Sequence, residues 1–205
     1  MFIATCPLIL ASASPRRQQL FAALGLHCTC IPATIDETPL VGETPAAFAV
    51  RMAEAKAAEV ATTQDAAACV IGADTVVTID GRILGKPANH REALRFLELL
   101  NGKTHSVITG YALQARGHGV LLHDHATTRV RFGHFNQDTL AAYANTKEPL
   151  DKAGAYAIQG AGAFLVASID GSCTNVIGLP VQAIVHSLLA HRFIRPGSAP
   201  LPDTA

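Results

Sequence analysis

Arg16 and Arg17 follow Ser12-Ala13-Ser14-Pro15, where a short apolar run, Leu8 to Ala11, gives way to a helical pattern. Ser14 reads as the N-cap and Pro15 as the first helical residue, so both arginines fall in the first turn. A helix N-terminus already carries unpaired N–H groups and partial positive charge, and two cations there are locally unfavourable. An anion held by those N–H groups, the Ser12 hydroxyl and the guanidinium forks would remove the conflict. The alternative, both side chains pointing into water, costs roughly a few tenths of a kcal/mol. The chemistry on offer is phosphate binding.

Asp74 is a second oddity. It interrupts Val70-Ile71-Gly72-Ala73-Asp74-Thr75-Val76-Val77, otherwise a continuous apolar strand of the buried kind. A carboxylate there must be paired, coordinate a metal or open into a cleft. A local bend beside Gly72 is the competing reading. Lys56 flanks the Phe48–Met52–Ala55 stripe of a helix, and Lys86 sits in Gly85-Lys86-Pro87, where a rigid turn could aim it. Either could equally be an ordinary surface lysine.

Other patterns carry less. Gly102-Lys103-Thr104 looks like the end of a Walker phosphate loop, but position 97 is Leu and the tripeptide follows a helix instead of opening one. His118, His123 and His125 could ligate a metal, yet they fit the exposed face of a hairpin better. No G-x-G-x-x-G or G-x-S-x-G occurs.

The elements that must hold these side chains follow from periodicity and punctuation. The first helix turns Leu20, Phe21 and Leu24 inward and stops at Gly25, and a strand around Cys28 to Ile31 follows. Thr44-Pro45 repeats the cap-then-proline signal and opens an Ala-rich helix to about Thr62. Cys69 to Ile79 reads as a strand turned back by Asp80-Gly81. Asn89 caps a helix with Ala93, Phe96, Leu97 and Leu100 at helical spacing, ended by Gly102. From His105 to Phe135 two long strands are expected around Gly117-His118-Gly119, then a short helix from about Gln137 to Ala144. Strands from Ala155 to Ile169 and a last helix near Pro180 complete the pattern. The alternation predicts a mixed α/β sheet with helices on its faces, one domain over 1–195, and a disordered tail over 196–205.

With 205 residues, 49% of them hydrophobic and 16% charged, the chain can bury a sizeable core and is too apolar for disorder. Zero formal net charge argues against nucleic-acid or membrane-surface binding, so an anionic partner must be small and met by local cations. Cys6, Cys28, Cys30, Cys69 and Cys173 are odd in number and hold no C-x-x-C pair. That fits reduced thiols in a cytoplasmic protein better than a disulfide framework or zinc ribbon. Ala11-Ser12-Ala13 after an apolar stretch resembles a secretion signal, but no Lys or Arg precedes it and Pro7 interrupts it. No apolar run is long enough for a membrane span.

Seven stretches are distinctive: Leu10 to Arg17 (LASASPRR), Ile35-Asp36-Glu37, Ile71 to Val77 (IGADTVV), Leu84 to Pro87 (LGKP), Gly102 to Thr109 (GKTHSVIT), Glu148 to Gly160 (EPLDKAGAYAIQG) and Val176 to Pro180 (VIGLP). Together, and in this order, they resemble the Maf family of nucleotide pyrophosphatases over nearly the whole chain except the C-terminal tail. The resemblance implies a two-lobed fold similar to that of the inosine triphosphate pyrophosphatases, with an elongated, twisted sheet and a central cleft. It implies hydrolysis of a nucleoside triphosphate to monophosphate and pyrophosphate, a divalent cation (Mg²⁺ or Mn²⁺) and frequent homodimers. By the same likeness Asp74 is the general base, while Ser12, Arg16, Arg17, Lys56 and Lys86 surround the phosphates. Glu37 joins Asp74 near the metal, and whether Asp74 is chiefly base or ligand stays open.

Base discrimination in the family follows three positions, here Arg16, Thr75 and Gln159. This set resembles the dTTP- and UTP-hydrolysing branch; the branch acting on 7-methyl-GTP carries Trp, Gln and Glu there. An uncharged Gln159 amide can both donate to and accept from a pyrimidine edge, whereas a Glu suits a cationic methylated purine. The rival readings are 7-methyl-GTP hydrolysis and a non-catalytic regulator of septum formation. Neutral net charge argues against a DNA-binding regulator, and the carboxylate-plus-cation set argues against a dead enzyme.

Overall fold

The computed structural model describes residues 1–115 and 119–197. Strands β1 (Phe2–Ala4) and β2 (Leu8–Ala11) open the chain, followed by helix α1 (Pro15–Ala23), β3 (Thr29–Cys30) and helix α2 (Pro45–Ala61). Then come β4 (Cys69–Ile79), β5 (Arg82–Leu84), α3 (His90–Leu100) and the long strands β6 (Thr104–Ala115) and β7 (Gly119–Phe132). The last third holds α4 (Gln137–Ala144), three short 3-10 turns, β8 (Val166–Asp170), α5 (Cys173–Ile177), α6 (Val181–Ala190) and β9 (Ile194–Pro196). Seven strands form one mixed sheet in the order β3-β2-β4-β6-β7-β8, with β5 paired to β4. β2 runs parallel to β3 and β4, and the remaining pairs are antiparallel. This is the mixed, helix-flanked α/β sheet that the alternation of elements predicts.

Two glycines set how the site is assembled. A Cβ on Gly72 of β4 would lie 2.0 Å from the Ala53 carbonyl oxygen, and one on Gly110 of β6 would lie 2.3 Å from the Ala49 carbonyl carbon. Only bare backbone at both points lets α2 lie flush against the sheet. Lys56, one residue short of a turn beyond Ala53, is thereby held within reach of β4.

β4 also joins two hydrophobic clusters. Its first half, Cys69, Ile71 and Ala73, packs with Phe21 of α1 and with Leu179, Ile184 and Leu188. Its far end, Val77 and Ile79, packs with Leu97 and Leu100 of α3 and Leu140 and Tyr143 of α4. Asp74 and Thr75 lie between the two, where the strand is only partly covered. The carboxylate is tolerated in a central strand because it faces the gap between two cores.

Several expectations need correction. The region Ala155 to Ile169 is not a run of strands: 3-10 turns occupy Ala153–Ala155 and Ala161–Leu165, and β8 is its one strand. Gly154 (φ 70°), Ala155 (φ 61°) and Gly160 (φ 86°) have left-handed backbone that breaks any pleat. α5 was not anticipated; Ser172 caps it by accepting from the Asn175 N–H, and Gly178 (φ 123°) ends it. β1 and β9 pair as a separate two-stranded sheet, which places Pro196 opposite Phe2 and ordered, not in a tail. Ser14 occupies the N-cap position of α1 but its hydroxyl caps nothing; its N–H donates to Ser12 Oγ at 3.2 Å. His118, most of the expected turn at Gly117-His118-Gly119, and the tail from 198 onward lie outside the described residues. All five cysteines are free thiols, and among the described residues no helix is long and apolar enough to cross a membrane.

Candidate active site

Between the two cores opens a cleft of about 750 Å³. The β2–α1 junction contributes Ser12, Arg16 and Arg17 to its lining, β4 contributes Asp74 and Thr75, and α2 contributes Lys56. Glu37, Lys86 and Gln159 reach it from three separate loops. Every residue that the family likeness assigns to phosphate, metal or base therefore lines one cavity.

The floor is an acid–base cluster. Lys56 Nζ donates to Asp74 Oδ1 at 2.6 Å and pairs with Glu37 Oε1 at 2.7 Å. The Lys56 and Asp74 side chains are largely covered, at 12% and 15% exposure, whereas Glu37 is open to the cleft. The bond to Lys56 holds the Glu37 carboxyl below its ordinary range, with Lys86 and Arg17 pulling the same way across space. Lys86 is exposed and has no ion pair among the described residues, so its charge faces the cleft uncommitted.

The two arginines, alike in the sequence, differ in the structure. Among the described residues Arg16 is held only by Asp151, at 3.6 Å, in a pair whose side chains are 30% and 66% exposed. Arg17 is locked: Nε donates to the Gly178 carbonyl at 2.7 Å, Nη1 to Ser12 Oγ at 3.1 Å and Nη2 to Thr75 Oγ1 at 3.0 Å. Burial lowers the Arg17 pKa and the nearby Asp74 charge works against that, so guanidinium and carboxylate share one field. Thr109 Oγ1 donates to the Asn175 carbonyl at 3.1 Å, which leaves its oxygen to accept from Thr75 at 2.9 Å. A directed chain thus runs from Arg17 through Thr75 and Thr109 to Asn175. It commits the Thr75 proton inward.

Thr109 and Asn175 are fully buried; Thr109 closes the Gly102–Thr109 stretch, but nothing in the sequence gave either residue a role. Asn175 bridges β6 and β7 by donating to the Val107 carbonyl at 3.1 Å and to Thr128 Oγ1 at 2.9 Å. Lys152 also lines the cleft, bonded to the Glu148 carbonyl at 2.9 Å and to Asp151 at 2.5 Å. Its place inside the Glu148–Gly160 stretch was visible; its direction was not.

Glu37 and Asp74 converge on one cationic position, now taken by the Lys56 ammonium, and both offer oxygen donors. Mg²⁺ is commonly held by one or two carboxylates, with substrate phosphates and water completing its shell, so this pair suits it. Among the described residues no group of three or more His, Cys, Asp or Glu side chains forms a self-sufficient metal site. His123 pairs with Glu54, and His125 lies 3.6 Å from Asp124, on the exposed part of β7.

The sequence profile of the Maf-like proteins matches residues 7–191. The chain belongs to the Maf family. The Maf match runs from just before β2 to just after α6, so it takes in every cleft residue named above. Curated relatives of the Maf family agree over most of their length. The dTTP/UTP pyrophosphatase of Oleidesulfovibrio alaskensis is 46% identical over 97% of this chain and 91% of its own. Its namesake in Moorella thermoacetica is 50% identical over 89% and 93%, and that in Myxococcus xanthus 48% over 87% and 89%.

Proposed function

We propose that this protein hydrolyses dTTP and UTP to the nucleoside monophosphate and pyrophosphate. The observation that carries the reading is the Glu37–Lys56–Asp74 cluster on the floor of a cleft whose rim holds Arg16 and Lys86. Relatives bearing the dTTP/UTP pyrophosphatase name at this level of identity support the substrate. Arg16, Lys56 and Lys86 hold the triphosphate and offset the charge growing on the departing pyrophosphate. Asp74 keeps one carboxylate oxygen beyond that bonded to Lys56, and orients a water and accepts its proton for in-line attack at the α-phosphorus. Arg17 fixes Ser12 and Thr75 and keeps two N–H groups for a phosphate oxygen, since a guanidinium has five. Glu37 and Asp74 would hold Mg²⁺ or Mn²⁺, which would supply neutralisation of the phosphate charge. Gln159 reads the pyrimidine edge with donor and acceptor together, and Arg16 and Thr75 border it.

One catalytic domain over 1–195 fits the cleft's dependence on both cores. The free thiols fit the cytoplasm. The family likeness points to a homodimer, which light scattering would test. The deciding assay is pyrophosphate release from a panel of triphosphates, with Asp74→Asn as control. Highest kcat/KM for dTTP and UTP, and loss of turnover in a folded Asp74→Asn protein, are expected. A higher kcat/KM for 7-methyl-GTP would overturn the substrate, and near-normal turnover by Asp74→Asn would remove that residue from the mechanism.

A further inference from the structure

Gln159 is exposed on the cleft wall and makes no side-chain hydrogen bond among the described residues. A flexible amide reads a base edge only if its backbone is fixed, and the fixation lies close on both sides. Before it, the buried Tyr156 hydroxyl meets His105 Nε2 at 2.7 Å. After it, two successive backbone N–H groups close on one carboxylate: Ala161 N donates to Glu148 Oε2 at 3.0 Å and Gly162 N to Glu148 Oε1 at 2.8 Å. The Tyr143 hydroxyl donates to Oε1 as well, at 2.9 Å. The carboxylate fits so closely under the loop that a Cβ on Gly160 would lie 2.6 Å from Oε2. Gly160 itself has φ 86° and ψ −154°, backbone that essentially only glycine adopts.

We infer that Glu148 is a positioning residue for base recognition, acting through the Gln159 loop. This rests on the reading of Gln159 as the group that meets the pyrimidine. Burial works to raise the Glu148 pKa, but the two N–H groups, the Tyr143 hydroxyl and Lys152 outweigh it and hold the group ionised. An ionised carboxylate is an acceptor at both oxygens, which the paired N–H groups require. The Glu148 segment also carries Asp151, the partner of Arg16.

Glu148→Gln keeps the shape but forces an NH2 group against one of the loop donors; with the amide oxygen kept at the Oε1 position, where two donors meet, that donor is Ala161 N–H. The test measures kcat and KM for dTTP and for deoxyribose 5-triphosphate, which has no base, in the wild type, Glu148→Gln, Gln159→Ala and the double variant. Expected for Glu148→Gln is a rise of about tenfold in the dTTP KM with kcat little changed. Constants for the base-free triphosphate should stay at wild-type values, and adding Glu148→Gln to Gln159→Ala should raise the dTTP KM no further. Equal losses on both substrates, or additive effects in the double variant, would make Glu148 a general brace and overturn the inference. If Gln159→Ala alone left the dTTP KM unchanged, base reading by Gln159 would fall, and this inference with it. Should Glu148→Gln not fold, Tyr143→Phe removes one of the three bonds; it should give a smaller rise confined to dTTP, and an unselective loss would again overturn the proposal.

Discussion

Arg16 and Arg17 are adjacent and chemically identical, yet the structure gives them opposite work. Arg17 spends three donors on a carbonyl and two hydroxyls, so its removal leaves Gly178, Ser12 and Thr75 without their common partner. Arg17→Ala should cost about 2–3 kcal/mol of stability, the range for hydrogen bonds to a charged group, and lower kcat as Ser12 and Thr75 drift. Among the described residues Arg16 has one long, partly exposed ion pair, which contributes at most about 1 kcal/mol. Arg16→Ala should therefore raise the dTTP KM while leaving the urea midpoint close to that of the wild type. Chemical denaturation beside steady-state kinetics separates the two; equal losses of stability would contradict this division of labour.

At the scale of elements, the contact of α2 with β4 and β6 is what brings Lys56 to Asp74. The helix touches bare backbone at Gly72 and Gly110, and no side chain there could yield. Gly110→Ala should cost about 3 kcal/mol, the upper part of the range for overpacking, and lower turnover as well because α2 must lift. Urea unfolding and pyrophosphate release on the same preparation check this; a stable variant that had lost turnover would show the shift to be local to the site. The loop from Ala153 to Leu165 teaches the reverse lesson. Its apolar composition resembles strand, but Gly154, Ala155 and Gly160 take left-handed backbone that composition does not announce.

Across the whole molecule, the core behind the cleft contains an ionisable side chain that must stay neutral. His105 is buried against Phe132 and Tyr156, and its Nδ1 has no partner among the described residues. Burial pushes its pKa down to about 4 from 6.5. Between those values the unfolded chain binds a proton that the folded protein does not, so stability is full above pH 6.5 and falls with pH until about 4. The loss should reach about 3 kcal/mol by pH 4. Unfolding free energy measured from pH 7 to pH 4 should show this slope in the wild type, and His105→Gln should flatten it. An unchanged slope in the variant would place the acid sensitivity elsewhere.

The sequence by itself determined the local chemistry and most of the elements. Pro15 opened α1, the cap-then-proline pair Thr44-Pro45 opened α2, Asp80-Gly81 turned β4 into β5, and Asn89 capped α3, because each depends on neighbours a few residues away. Two arginines in a helix's first turn and a carboxylate in an apolar strand marked the site, because both are unfavourable without a partner. Only the tertiary structure decided which partner each found. Lys56 lies 18 residues from Asp74, and Gly178 lies 161 residues from Arg17, separations that no periodicity reports. Thr109 and Glu148 lay in distinctive stretches, yet their roles, like that of Asn175, stayed silent for the same reason. Their roles are set by hydrogen bonds across elements, and a hydroxyl, an amide or a carboxylate looks the same in sequence whether it faces water or holds the wall of a cleft.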